Sequence, residues 1–217
     1  MLGEPSPLQG FDPTLLLVLN LAGTFVFGLS GGLEGARKRL DVFGVVVLAV
    51  VVGLAGGITR DLLIGIAPQT FRDWRYLAVA GGAGLVTFLA HPVLDRLEGP
   101  VLVLDGAGLA LFCVTGASTA VDHHVGAVAA VVLGAITGVG GGVLRDVLVR
   151  EVPVVLRSGL YAIPALIGAA IVVVASKAGS HDLAFPLVAA AVCFLIRLAG
   201  LRFDLNVPQA RGGPDPD

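Results

Sequence analysis

The segment GGITRD at residues 56–61 recurs as GGVLRD at residues 141–146, 85 positions later in the chain. Between residues 53 and 76, nine of 24 positions are identical to the residue 85 positions further on. Shared composition alone does not align charged residues, prolines and tyrosines at one fixed offset, so we predict an internal duplication. The offset also aligns residues 18–23 with 103–108, Phe27 with Phe112, Pro68 with Pro153, Arg72 with Arg157, and Tyr76 with Tyr161.

The composition is that of an integral membrane protein. Of the 217 residues, 56% are hydrophobic and only 14% are charged, and 31 glycines come on top of the hydrophobic share. So few charges cannot cover a water-soluble surface. A chain this apolar is not disordered, and two cysteines do not make a disulfide scaffold. The net charge of −2 gives no basic footprint for a nucleic-acid partner.

Seven apolar runs are long enough to cross a hydrocarbon core about 30 Å thick. Three runs fall in each copy of the duplication, and because three is odd, the second copy enters the membrane from the opposite side. We therefore predict an all-α membrane fold of two inverted three-helix repeats with a seventh helix outside the symmetry. The runs are residues 14–33, 42–58, 76–94, 100–121, 125–143, 159–176 and 183–199.

The predicted organisation along the chain follows from these runs. Residues 1–13 form an N-terminal segment, 14–94 the first repeat, 95–98 a connector, 99–176 the second repeat, 177–200 the seventh helix and 201–217 a disordered tail. Seven spans put the termini on opposite faces, with 4 Lys and Arg on the N-terminal face and 10 on the C-terminal face. The excess of positive charge predicts a cytoplasmic C-terminus and an N-terminus outside.

Glycines cluster late in the second and fifth spans. They are Gly56 and Gly57 in the first copy, and Gly140, Gly141 and Gly142 in the second. Such clusters weaken a helix and allow it to bend, and a bend at membrane depth is tolerated where it lines a wet cavity. The functional interpretation is a kink whose carbonyls line an ion path; the alternative is close helix packing through small residues.

Charged pairs follow both glycine clusters, Arg60-Asp61 in the first copy and Arg145-Asp146 in the second. A charge inside a membrane segment costs at least about 2.5 kcal/mol, so each is expected to be satisfied in a specific way. Neighbours on a helix do not face each other, which predicts that each Arg and Asp finds partners elsewhere, such as on the other repeat. The alternative is that the pairs only terminate the spans or lock the helices.

Two further pairs of counterparts are polar, Asn20 with Asp105 and Ser30 with Thr115. Asp105 is about 7 Å along its helix from residue 100, where a carboxylate either attracts cations toward a pore or is solvated at the interface. The hydroxyls of Ser30 and Thr115 either line the path or bond back to their own helix. The sequence carries no motif of a catalytic or cofactor site, so neither an enzyme nor a bound cofactor is predicted.

The doubled Gly-Gly-x-x-Arg-Asp motif, each copy followed by a proline seven residues after its Asp, resembles the prokaryotic trimeric intracellular cation (TRIC) channels. The same bacterial family has also been labelled a glycine transporter family. The resemblance covers about residues 14–200. It implies a homotrimer in the prokaryotic plasma membrane with one pore per protomer, in contact with lipids and permeable to K⁺ and some Na⁺.

The resemblance also implies that the second and fifth helices kink at their glycines and line the pore, with cation contacts at the carbonyls of Gly57 and Gly141. Ala55 stands where a full triple glycine would continue the first copy, which implies a shallower kink there. A cation channel is therefore the favoured function. A secondary transporter of a small solute such as glycine is the second hypothesis, and a non-conducting assembly is the third. For the channel, leucine at Gly57 or Gly141 is expected to cut conductance without unfolding the trimer.

Overall fold

The computed structural model describes residues 11–94, 99–157, 160–180 and 182–203. The predictions for residues 1–10, for the connector at 95–98 and for the tail from 204 lie outside the described residues. Within them the chain forms eight α-helices and one short 3₁₀ helix, Gln69–Phe71. The α-helices are α1 (Pro13–Arg37), α2 (Val42–Ile64), α3 (Trp74–Leu94), α4 (Pro100–Asp122), α5 (Ala127–Leu148), α6 (Val154–Arg157), α7 (Ala162–Lys177) and α8 (Ala184–Arg202).

Local sequence explains where the first helices begin. The side chain of Asp12 accepts a hydrogen bond from the backbone N–H of Leu15 at 2.9 Å, and Pro13 occupies the first helical position. Asp41 caps α2 in the same way through the N–H of Gly44 at 2.7 Å. A carboxylate at this position satisfies one of the four N–H groups that a helix leaves unpaired at its start.

Five helices are long and apolar enough to cross a membrane, namely α1, α2, α4, α5 and α8. Two shorter apolar stretches, Trp74–Ala90 and Ala162–Lys177, belong to α3 and α7. Large apolar side chains are exposed on the outside of the bundle, among them Leu89 at 79% and Val128 at 80%. An exterior of this kind suits lipid or another protein surface rather than water, so the chain is a multi-pass membrane protein.

The helices pack in two groups with the same internal contacts. In the first group α1, α2 and α3 contact one another, and in the second α4, α5 and α7 do so. The groups meet where α1 packs on α4 and where α2 packs on α5. Among the described residues, the last helix, α8, makes substantial contacts with α4 and α7 only.

The ends of equivalent helices share the same unusual backbone. Arg39 after α1 and His124 after α4 both have left-handed φ values, 58° and 59°. Gly65 after α2 and Arg150 after α5 are likewise left-handed, at 84° and 62°. Left-handed residues commonly terminate helices by turning the chain sharply. The members of each pair are 85 residues apart, so the duplication in sequence extends to the way the helices end.

Candidate functional site

The Arg60-Asp61 pair of α2 forms a compact buried network. Both side chains are at most 3% exposed, and Arg60 Nε donates to Asp61 Oδ1 at 2.7 Å. The other carboxylate oxygen of Asp61 accepts from the backbone N–H of Gln69 at 2.9 Å, which ties the loop after α2 back onto the helix. Arg60 Nη1 approaches the side-chain oxygen of Asn20 on α1 at 3.4 Å.

The Arg145-Asp146 pair of α5 repeats this network in the second group of helices. Arg145 donates to Asp146 Oδ1 through Nε at 2.9 Å and through Nη2 at 2.7 Å. Asp146 Oδ2 accepts from the N–H of Val154 at 2.9 Å, as Asp61 does from Gln69. Arg145 Nη1 donates to Asp105 Oδ1 at 2.7 Å, as Arg60 does to Asn20. Each acceptor is therefore 85 positions from its counterpart.

One expectation about these pairs is wrong. Adjacent Arg and Asp residues were expected not to meet, yet both pairs bond directly. The arginine side chain is long enough to fold back along its own helix, and the loop after the helix supplies the N–H that orients the neighbouring carboxylate. Partners elsewhere are present as well, because Arg145 Nη1 also donates to Ser30 Oγ of the first group at 2.7 Å.

The remaining polar positions differ between the two copies. Asp105 is fully buried rather than solvated at an interface, and its counterpart Asn20 is 6% exposed. Ser30 accepts from Arg145, whereas Thr115 is fully buried and its hydroxyl has no hydrogen-bond partner among the described residues. Neither hydroxyl therefore bonds back to its own helix in the described part of the chain.

The glycine clusters lie where α2 crosses α5. Both helices run without a break through the clusters. A Cβ added to Gly56 would overlap the carbonyl oxygen of Thr137, and one added to Gly140 would lie 3.1 Å from Gly56 Cα. Gly141 is equally confined, with the carbonyl of Val52 at 2.8 Å from its added Cβ. These glycines bring the backbones of the two helices into contact, as the alternative of close helix packing through small residues predicts.

Gly57 and Gly142 have different surroundings from those three. A Cβ on Gly57 would meet nothing within 4 Å, whereas one on Gly142 would lie 2.7 Å from Asp105 Oδ1. Gly57 borders a small cavity of about 10 Å³, also lined by Thr24, Tyr76 and Phe112. That volume is about the least that holds one water molecule.

Phe27 and Phe112 stack at the centre of the protein, with ring centroids 5.5 Å apart and an interplanar angle of 24°. Both rings are buried, at 0% and 2% exposure. Each ring covers a glycine of the other group: Phe27 lies 2.7 Å from an added Cβ of Gly108, and Phe112 lies 3.0 Å from that of Gly23. The sequence alignment paired these phenylalanines, but aromatic residues in apolar runs carried no functional signal of their own.

Two larger cavities open at opposite ends of the bundle, with volumes of about 400 Å³ and 280 Å³. Equivalent positions line them, and the stacked phenylalanines line neither. The first is lined by Leu16, Leu17, Arg72, Thr119 and Asp122; the second has their counterparts Val101, Leu102, Arg157, Glu34 and Arg37. Asn20 also lines the first cavity, and Arg145 and Asp146 line the second.

Glu151, which lines the second cavity, forms an exposed ion pair. Lys38 Nζ, in the turn after α1, donates to Glu151 Oε1 after α5 at 2.8 Å. This hydrogen bond holds the pKa of the Glu151 carboxyl below its usual value and the pKa of Lys38 above its own. Because both groups face solvent, the pair contributes little to stability.

A family model described as "Glycine transporter" matches the chain twice, over residues 17–92 and 102–177. The chain belongs to this family. The two matched segments begin and end 85 positions apart, at the offset of the duplication. Two relatives of similar sequence are described as membrane proteins. The UPF0126 membrane protein SCO4104 of Streptomyces coelicolor is 52% identical over 91% of this chain and 92% of its own length. The UPF0126 inner membrane protein YadS of Escherichia coli K12 is 39% identical over 89% of this chain and 95% of its own length.

Solved structures similar to this family member are described as cation channels. A prokaryotic TRIC channel crystallised in 0.5 M KCl superimposes with a TM-score of 0.83 at 35% identity, covering 90% of this chain and all of that one. The TRIC trimeric intracellular cation channel orthologue from Rhodobacter sphaeroides gives a TM-score of 0.85 at 36% identity, covering 88% of this chain and all of that one. The resemblance inferred from the doubled motif is confirmed.

Proposed function

We propose that this protein is a monovalent cation channel with an ion path inside each protomer. The observation that carries the proposal is the pair of equivalent cavities at opposite ends of the bundle, separated by the stacked rings of Phe27 and Phe112. Buried charged networks stand between each cavity and the centre. Such an arrangement is a closed path, because water and ions reach the centre from both faces once the rings separate.

The likeness to solved TRIC channels supports the finer parts of the proposal. Seven spans would form two inverted repeats, with α3 and α7 as the short third spans and α8 as the helix outside the symmetry. Three protomers would assemble, as the description of the Rhodobacter sphaeroides structure says of that protein. The C-terminus would face the cytoplasm. K⁺ and Na⁺ would pass through a pore lined by α2 and α5, with cation contacts at the carbonyls of Gly57 and Gly141. The similar structures are channels, which also supports the prediction that the chain is not an enzyme.

The family description favours one alternative, a secondary transporter of glycine. The two functions differ in kinetics, so one liposome preparation tests both. A channel gives K⁺ efflux down its gradient at a rate that does not depend on added glycine. A transporter gives saturable glycine uptake that is accelerated when unlabelled glycine is loaded inside. Glycine counterflow without K⁺ efflux would overturn the channel proposal.

Smaller side chains at the centre are expected to increase conduction. In Phe27→Leu and Phe112→Leu, a shorter apolar group replaces each ring of the stacked pair, which weakens the barrier to water and ions. We expect K⁺ efflux from liposomes to rise at least about twofold for either variant. Phe25→Leu is the matched control, because Phe25 lies on the same helix but is 38% exposed and should leave efflux unchanged. Unchanged efflux in both central variants would contradict the central barrier.

A further inference from the structure

Arg197 lies on α8, outside both copies of the duplication, and yet it is only 2% exposed. Its guanidinium carbon stands 4.8 Å from the centre of the Tyr161 ring, and its Nη1 donates to the Leu160 carbonyl at 3.2 Å. Its Cγ lies 3.0 Å from the position of a Cβ on Gly106, so the side chain enters the bundle beside Asp105. A buried positive charge therefore reaches the second copy from a helix that has no counterpart in the first.

Asp105 and Arg197 both have unused hydrogen-bonding capacity. Asp105 Oδ2 accepts from no group, and Arg197 Nε and Nη2 donate to none, among the residues that the structure describes. Tyr161 lies between the two side chains: its ring faces the Arg197 guanidinium, and its hydroxyl lies beside Asp105 Oδ1, because both oxygens border the position of a Cβ on Gly142. A buried ion is costly unless an opposite charge compensates it. Arg145 is shared between Asp105 and Asp146, so this cluster lacks one positive charge and Arg197 lacks a negative one.

The buried polar sets of the two copies differ by one negative charge. In the first copy, Asn20, Arg60 and Asp61 together carry no net charge. In the second copy, Asp105, Arg145 and Asp146 together carry one negative charge, because an aspartate replaces the asparagine. Arg197 restores neutrality in the second copy. Arg145 is the one cation in the described hydrogen bonds and ion pairs of this cluster, and Arg197 lies next to the cluster on the far side of the Tyr161 ring.

We propose that Arg197 is the counter-charge of Asp105, and that it keeps this carboxylate from holding a cation in the half of the path that ends at the second cavity. The consequence for ions rests on the proposed channel function, whereas the pairing itself does not. An ion path conducts only when its sites bind weakly enough to release the ion. A buried carboxylate oxygen without a partner, such as Asp105 Oδ2, would retain a cation, and Arg197 supplies a fixed positive charge in place of that ion.

A charge cycle at these two residues tests the pairing through stability. Arg197→Gln leaves one uncompensated negative charge and Asp105→Asn leaves one positive charge, so each should lower the Tm of the purified protein by about 6–12 °C. Asp105→Asn/Arg197→Gln gives the second copy the neutral polar set of the first, and its Tm should exceed that of either single variant. Arg197→Lys keeps the charge and should lose less than Arg197→Gln. If Arg197→Gln yields no folded protein, the recovery of folded protein in Asp105→Asn/Arg197→Gln would equally support the pairing.

Asp61→Asn/Arg197→Gln is the matched control, because Asp61 belongs to the other copy and its effect should simply add to that of Arg197→Gln. Additive losses in Asp105→Asn/Arg197→Gln, or equal losses in the lysine and glutamine variants, would overturn the pairing.

A cation-specific readout tests the consequence for ions. Replacing choline chloride with KCl at equal ionic strength should raise the Tm of Arg197→Gln by about 5 °C more than that of the wild type, because a bound K⁺ ion stabilises only the folded state. An equal response of both proteins would overturn the proposed shielding of Asp105. Neither experiment depends on conduction, so an inactive wild type in flux assays would count against the channel alone.

Discussion

Gly56→Ala is expected to destabilise the protein by about 3 kcal/mol, whereas Gly57→Ala is expected to be tolerated. The added methyl at Gly56 would overlap the carbonyl oxygen of Thr137, and a backbone atom at a helix crossing cannot move aside as a flexible side chain does. The same methyl at Gly57 meets nothing within 4 Å and improves helix propensity. Thermal unfolding monitored by size-exclusion chromatography should show a Tm about 10 °C lower for Gly56→Ala and unchanged for Gly57→Ala.

These adjacent glycines serve as each other's control, since both substitutions add one carbon to the same helix. Equal Tm values for the two variants would contradict the helix crossing. The sequence predicts that leucine at either Gly57 or Gly141 leaves the trimer folded, but the two glycines have different surroundings. Gly57→Leu should fold and reduce K⁺ flux by filling the small central cavity, but Gly141→Leu should not fold, because Gly141 is confined by the carbonyl of Val52 and the ring of Phe27.

Arg145→Gln is the second change with a large expected effect. Arg145 is 2% exposed and is the hydrogen-bonding partner of two buried carboxylates, Asp105 and Asp146. Removing one partner of a buried ion pair costs about 3–5 kcal/mol, because the other charge stays buried without compensation. We expect little folded protein, or a Tm lower by about 6–20 °C, in the same chromatographic assay.

A second substitution tests whether charge causes this loss. Asp105→Asn/Arg145→Gln leaves Asp146 and Arg197 as the buried charges, whose sum is zero, so the double variant should be more stable than Arg145→Gln alone. A double variant less stable than Arg145→Gln would show that hydrogen-bond geometry, and not charge balance, holds this cluster together.

Much of the site could be predicted because the chain contains two copies of it. Residues at a fixed offset identified the polar pairs Asn20 with Asp105 and Arg60 with Arg145, and the structure places each pair in equivalent networks. The offset also aligned Phe27 with Phe112, although only their stacking revealed the central barrier. Duplication supplies an internal comparison that a single sequence ordinarily lacks.

What the sequence did not predict depends on side-chain reach and on helix crossings. Spacing along a helix argued against contact within the Arg-Asp pairs, but flexible arginine side chains and the following loops allow it. Arg197 lies outside both copies and has no counterpart 85 positions away, so comparing the two copies could not identify it as part of the site. The roles of Gly56 and Gly57 differ because one faces α5 and the other a cavity, which adjacent identical residues cannot reveal.

The most direct test of the channel is single-channel recording of the purified protein in a planar bilayer under a K⁺ gradient. A cation channel closed by the stacked rings should give discrete openings that reverse near the K⁺ equilibrium potential, with larger currents in Phe27→Leu and Phe112→Leu. Openings that reverse near the Cl⁻ potential, or central variants whose currents match the wild type, would contradict a cation path closed by the stacked phenylalanines.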